Sequence, residues 1–236
     1  MSKALIIAQK EIGAYFKSPI AYIVLVVAVS VFNVFFFLII DQNKEATLRE
    51  MFQVMEFMFV FILPLLTMKA FAEENSLGTA EFLMTTPTTN TAIVLGKYLG
   101  CLAFYSLLLG ITLVYYAIIE IYGNPDRWAT FLGYGGVWLE GALFISIGIL
   151  TSSWTKNQVV AAISAYMIIF ALYFSLALTQ YCQGMLEAVL RYAGTWSHSE
   201  NLFTGILSSA DIIYYLSGIA FTLLLTRLSI ENRLWR

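Results

Sequence analysis

Six apolar stretches, each near the length a helix needs to cross a bilayer, constrain this chain more than any other feature. A helix needs about 20 predominantly apolar residues to span the hydrocarbon layer. On that ruler the spans fall at roughly residues 20–40, 51–68, 91–121, 134–150, 159–178 and 212–225. The third is longer than a crossing requires, so one of its ends is expected to project into water. Composition agrees: 60% of the 236 residues are hydrophobic and only 12% charged, whereas about a quarter of a soluble domain is charged. Most of the surface must therefore face lipid, and the sequence predicts an all-α polytopic membrane protein with six transmembrane helices.

The same counts exclude several kinds of function. A net charge of −2 offers no basic field for nucleic acid. Cys101 and Cys182 form no CxxC pair, and His198 is the only histidine, so neither a disulfide framework nor a zinc site is indicated. No HExxH, GxSxG or Ser/His/Asp set marks an enzyme. Lys3, Lys10, Glu11 and Lys17 all precede the first apolar core, which argues for a retained N-terminus rather than a cleaved signal.

Lysine and arginine set the expected orientation. Lys3, Lys10, Lys17, Lys69, Lys97, Lys156, Arg227, Arg233 and Arg236 fall on one side of an alternating six-span path. Only Lys44, Arg49, Arg127 and Arg191 fall on the other. Both termini are thus predicted to be cytoplasmic.

Residues 1–18 have a pattern of their own. Leu5, Ala8, Ile12 and Tyr15 recur at helical spacing, while Lys3, Lys10 and Lys17 repeat every seventh position on another face. This predicts an amphipathic helix along the inner leaflet, where each lysine contributes roughly 1 kcal/mol near anionic headgroups. A charged flank that merely orients the first span is the simpler alternative. Ser18-Pro19 then turns the chain into the membrane. Residues 19–236 form the transmembrane domain. Within it, residues 180–209 are too long for a turn, and their two apolar groups (Met185, Leu186, Val189, Leu190, Tyr192, then Leu202, Phe203, Ile206, Leu207) predict short interfacial or re-entrant outer helices.

The segment between Lys69 and Lys97 carries most of the functional information. Glu73, Glu74 and Glu81 alternate with Leu77, Phe82, Leu83 and Met84 before Pro87 ends the helical potential. A short helix with an apolar ridge and acidic flanks suits a groove on a partner; a solvated loop is the bland alternative. Gly78 weakens an isolated helix by about 1 kcal/mol, so a close backbone contact or a break is expected there.

Glu73-Glu74, Gly78-Thr79, Glu81, Leu83, Pro87 and Gly96-Lys97 resemble the EE…GT.E.L…P…GK pattern of ABC-2-type transporter permeases. The pattern is most similar to the subgroup that includes the gliding-motility GldF and nitrous-oxide-reductase-maturation NosY permeases. Lys10-Glu11, Phe16-Lys17-Ser18-Pro19, Ser152-Ser153 with Asn157-Gln158, and His198-Ser199-Glu200-Asn201 with Asp211-Ile212-Ile213-Tyr214 extend the resemblance over nearly the whole chain. It implies a bacterial inner-membrane permease with an N-terminal elbow helix and a cytoplasmic coupling helix at about residues 70–90. By the same resemblance Glu73, Glu74, Gly78, Thr79, Glu81 and Leu83 contact or shape the contact with an ABC ATP-binding subunit. Two such ATPases would drive two permease subunits, identical or homologous, and the resemblance admits an accessory protein with an extracytoplasmic domain. The chain itself has no G-x-x-x-x-G-K-[ST] phosphate loop, so ATP is expected on the partner and no cofactor on this chain.

Polar residues inside the apolar stretches are costly in lipid. Asn33 and Glu140 are candidates to line a translocation path or a dimer contact. Glu140 can equally pair with a hydroxyl or amide within the bundle, and Glu56, near the start of its span, suits the outer headgroup region. The glycines of the third and fourth spans read as packing positions, Pro64 as a bend in the second, and the aromatic residues around Tyr115–Trp138 as a headgroup belt. The competing functional readings are an ATP-independent channel or secondary transporter and a membrane scaffold.

Overall fold

The computed structural model describes residues 3–43, 45–78 and 89–234, with helices and no strand among them. In chain order the helices are α1 (Lys3–Lys17), α2 (Pro19–Asn43), α3 (Arg49–Thr67), α4 (Lys69–Leu77), α5 (Asn90–Ile111) and α6 (Leu113–Tyr122). They continue as α7 (Arg127–Trp154), α8 (Gln158–Tyr173), α9 (Ser175–Leu178), a 3-10 turn at Thr179–Tyr181, α10 (Met185–Ala193), α11 (Thr195–Phe203) and α12 (Ser209–Leu234). Five continuous or nearly continuous helices are long and apolar enough to cross a membrane. The bent pair of α8 with α9 and its 3-10 turn, broken by 56°, makes a sixth if counted as one span.

Local chemistry explains where several helices begin. Asp126 accepts from the Trp128 and Ala129 amides at the start of α7, Asn157 from Val159 at α8, and Thr89 from Ala92 at α5. Each supplies the acceptor that a helix's first turn lacks. The long third stretch is divided at Thr112, whose hydroxyl turns back to the Leu109 carbonyl while Tyr134 donates to the Thr112 carbonyl.

Helix α7 is the axis of the bundle: 83% of its apolar window is buried, against 17% in α2 and 11% in α12. Glycines notch it for its neighbours. A side chain at Gly133 would strike Phe52, at Gly136 Leu202, at Gly141 Tyr105, and at Gly148 Thr67. These contacts bring α3, α5 and α11 against one helix, as small residues allow in lipid. The packing expectation holds at these positions and not at Gly110 or Gly135, where an added Cβ meets open space.

Two expectations are revised. The inward face of α1 is Ile7, Ala8, Glu11 and Tyr15, set against α5 at Gly96 and Gly100, while Leu5, Ile6 and Phe16 stay exposed. The helix therefore rests on protein as well as offering an apolar face. The second short helix before the last span is Thr195–Phe203, not a segment centred on Leu202–Leu207. Its buried stripe of Thr195, His198, Ser199, Leu202 and Phe203 recurs at i, i+3, i+4, i+7 and i+8, but three of those residues are polar, so apolar periodicity alone misplaces it. The chain then turns at Gly205 with φ +84.

Candidate functional site

Helix α4 follows α3 almost without interruption, and its first turn borrows a cap from elsewhere in the chain. Its own preceding residue, Met68, offers no side-chain bond. Instead the Ser152 hydroxyl, near the end of α7, accepts from the Phe71 amide at 2.9 Å and the Ala72 amide at 3.0 Å. It donates in turn to the Met68 carbonyl at 2.9 Å. Asn75 adds a bond to the Thr155 carbonyl at 3.2 Å, so α4 is tied at both ends to the α7–α8 connection. Ala70, Phe71 and Ala72 are buried, and Gly78 ends the helix in the left-handed conformation at φ 70, which glycine adopts without a Cβ clash. Of the two roles anticipated for Gly78, the structure gives it the break.

Ser152→Ala strands two buried amides and a carbonyl, each costing about 1–3 kcal/mol when left unpaired. The expected result is a fall in unfolding midpoint of roughly 10 °C, measured by thermal unfolding in detergent, with Ser152→Thr retaining most of the wild-type value.

Beside α4 lies a buried ion triad. Lys97, about two turns into α5, is 2% exposed. Its Nζ lies 3.1 Å from Glu11 Oε1 on α1 and 2.8 Å from Glu74 Oε1 on α4, and 5.1 Å over the Phe71 ring. Lys10 approaches Glu74 at 4.0 Å. Tyr15 of α1 completes the joint: its hydroxyl donates to the Leu66 carbonyl at 3.1 Å and meets the Cys101 thiol at 2.9 Å. Burial, with Cys101 beside it, pushes the Tyr15 phenol above its usual pKa. The N-terminal helix, α4 and α5 thus meet at a single buried cation.

This geometry distributes the anticipated partner-contact residues. Glu74 points into the protein, toward Lys97. Glu73 lines a cleft of about 470 Å³ between α1 and α4, together with Lys10, Lys69 and Leu77. Leu77 is 69% exposed and lies one turn beyond Glu73 on the same face. Thr79, Glu81 and Leu83 lie outside the described residues. Lys97 read from the sequence as a flank of the loop. A lysine between two glycines inside an apolar run, with Gly96 and Gly100 receiving α1, was the signal of a buried role.

A second polar cluster occupies the opposite end of the bundle. Glu56 and Glu140 are each 1% exposed, and their carboxyls lie close enough to interact. Glu56 Oε1 accepts from Ser199 of α11 at 2.8 Å. On the adjacent residue, His198 Nδ1 meets Asp211 Oδ1 at 2.6 Å and Nε2 meets the Tyr192 carbonyl at 2.9 Å, with the imidazole stacked on Tyr214. Asn201 donates to the other Asp211 oxygen at 3.0 Å. Glu56 is therefore covered by α11, because the polar stripe of α11 seats itself over that end of α3. Asn33 is elsewhere: its Oδ1 accepts from Tyr115 at 2.8 Å, joining α2 to α6. The structure brings Glu140 to Glu56 and leaves Asn33 apart from both.

Between α2, α3 and the α8–α9 bend lies a cleft of about 850 Å³, walled by residues such as Phe35, Phe57, Tyr173 and Trp196, with Glu50 and Gln53 also on its lining. No curated protein matches the chain. The model of the ABC-2 family transporter proteins matches residues 3–226, which takes in α1, the α4 joint, the buried polar cluster and most of α12. A multi-pass helical bundle matched over nearly its whole length in this way belongs to the ABC-2 family of transporter proteins.

Proposed function

We propose that this chain is a permease subunit that draws its energy from a separate ABC ATPase docking at α4 and the segment that follows it. The observation that carries the reading is the mounting of α4. Ser152 fixes it to α7, Lys97 fixes it to α5 and α1, and Met68 joins it to α3. A force applied to α4 is passed to several membrane helices at once, while Glu73 and Leu77 remain open to a partner. Glu74 acts by holding α4 in place, and Gly78, Thr79, Glu81 and Leu83 complete the docking segment.

In this reading α1 is the elbow helix, the α1/α4 end is cytoplasmic together with both termini, and the bent α8–α9 pair is the fifth of six spans in a bacterial inner membrane. Two ATPases act on two permease subunits, identical or homologous, as in the GldF/NosY subgroup that the sequence resembles, with room for an accessory extracytoplasmic protein. The 850 Å³ cleft between α2, α3 and the bend faces the substrate; its apolar walls and the nearby Glu50 and Gln53 suit an amphiphile. The test is reconstitution of this chain with a candidate ABC ATP-binding protein from the same organism. A stable complex whose nucleotide turnover depends on this chain supports the proposal, and failure to associate overturns it. An ATP-independent transporter is favoured by one observation, the intramembrane Glu56–Glu140 pair, and would move substrate in vesicles holding this chain alone.

A further inference from the structure

The pair of carboxyls beneath α11 has a feature that packing does not explain. Glu56 Oε2, Glu140 Oε1 and Thr195 Oγ1 are all buried and meet no hydrogen-bond partner. Thr195 is wholly buried and its hydroxyl lies beside Glu140. The groups around the pair add no positive charge: Glu200 of α11, Tyr105 of α5, Tyr173 of α8, and Tyr214 and Tyr215 of α12. His198 is committed to Asp211 and the Tyr192 carbonyl, and Arg49 to Glu200 at 2.7 Å. Among the described residues no lysine or arginine pairs with Glu56 or Glu140.

Two carboxyl groups in contact and sealed from water cannot both stay charged without a compensating positive charge. One oxygen of each carboxyl and the Thr195 hydroxyl beside them are the ligands that charge would use. We propose that Glu56, Glu140 and Thr195 form a binding site for one monovalent cation, a proton or a sodium ion, whose loading holds α11 against α3 and α7. A divalent ion is disfavoured, because the described residues gather no group of three His, Cys, Asp or Glu side chains able to hold one. The link to α11 is direct, since Thr195 lies in its first turn and Ser199, one turn on, bonds Glu56. Release of the cation leaves two negative charges under a helix that bonds them through the Ser199 hydroxyl, so the unloaded site favours lifting of α11. Proton and sodium place the same charge at the same oxygens, and two arms of one experiment distinguish them.

The experiment measures the unfolding midpoint of the purified full chain in detergent between pH 5.5 and 8.5 at fixed ionic strength, with sodium replaced by choline and then restored. A site bound only in the folded state raises the midpoint by about 3–5 °C for each tenfold rise in ligand above its dissociation constant. A proton site gives a midpoint that falls as pH rises and ignores sodium. A sodium site gives a midpoint that rises with sodium at pH 8.5. In either case Glu140→Gln is expected to abolish the response, since the amide supplies a donor and removes one charge, and Glu56→Gln serves if that variant does not fold. Wild-type insensitivity to both ions overturns the proposal. So does a response that survives both amide variants and vanishes in His198→Asn, which assigns it to the imidazole.

Discussion

Lys97→Met is expected to destabilise the protein by about 3–5 kcal/mol, the usual effect of removing one partner from a buried ionic group. The substitution leaves Glu11 and Glu74 facing each other with their shared cation gone. In thermal unfolding this corresponds to a fall of roughly 10 °C or more. The diagnostic result is the rescue. Combining Lys97→Met with Glu11→Gln and Glu74→Gln removes all three charges, and most of the lost stability should return, because well-packed neutral replacements for a buried ion group are often neutral or stabilising. A triple variant no more stable than Lys97→Met would mean that the ammonium over the Phe71 ring mattered more than its pairing with the two carboxylates. The same series separates stability from energy transfer. The rescued protein folds, yet α1, α4 and α5 no longer share an ionic joint, and its coupling to the ATPase should be weaker than wild type.

The second large effect is expected at the exposed face of α4. Glu73→Arg with Leu77→Arg alters neither Ser152 nor Lys97, so the fold should persist within about 1 kcal/mol, as at most surface positions. Binding of the ATPase should nevertheless fall at least about 100-fold, since a charge driven into an apolar contact and a reversed ion pair each cost several kcal/mol at an interface. Titration of the ATPase onto wild-type and double-variant chain in nanodiscs checks this. Equal affinities would show that the partner does not use this face.

The spans were legible because apolar length is a one-dimensional property. The six stretches recover the helices of the bundle, with boundaries shifted mainly where capping residues act. Asp126 starts α7 seven residues before the apolar stretch begins at about 134. The break at Thr112 and the 56° bend after Tyr173 left no such trace, since both depend on how side chains turn back on their own backbone. The glycines of α7 announced close packing, and the structure assigns Phe52, Leu202, Tyr105 and Thr67 to four of the notches.

The candidate site was legible only in outline. The Glu73-Glu74 doublet marked the right segment, but the division of labour between its members depends on helical phase against neighbours distant in sequence. Glu74 meets Lys97 twenty-three residues away and Glu73 does not. Ser152 sits eighty-one residues from Phe71, so no local pattern could identify it as the cap of α4. Glu56 and Glu140 likewise appeared as two separate anomalies. Their meeting beneath α11 becomes visible only when the polar stripe from Thr195 to Ser199 is recognised as an inward face.

The most direct test of the central claim is ATP turnover by the candidate ATPase reconstituted in nanodiscs with this chain, intact or carrying Glu73→Arg and Leu77→Arg. The account predicts that the intact chain changes the turnover rate several-fold and that the double variant, folded and present in equal amount, returns it to the rate of the ATPase alone. Turnover that is the same with the intact chain, with the variant and with no chain at all would contradict the claim that α4 receives the energy of ATP hydrolysis.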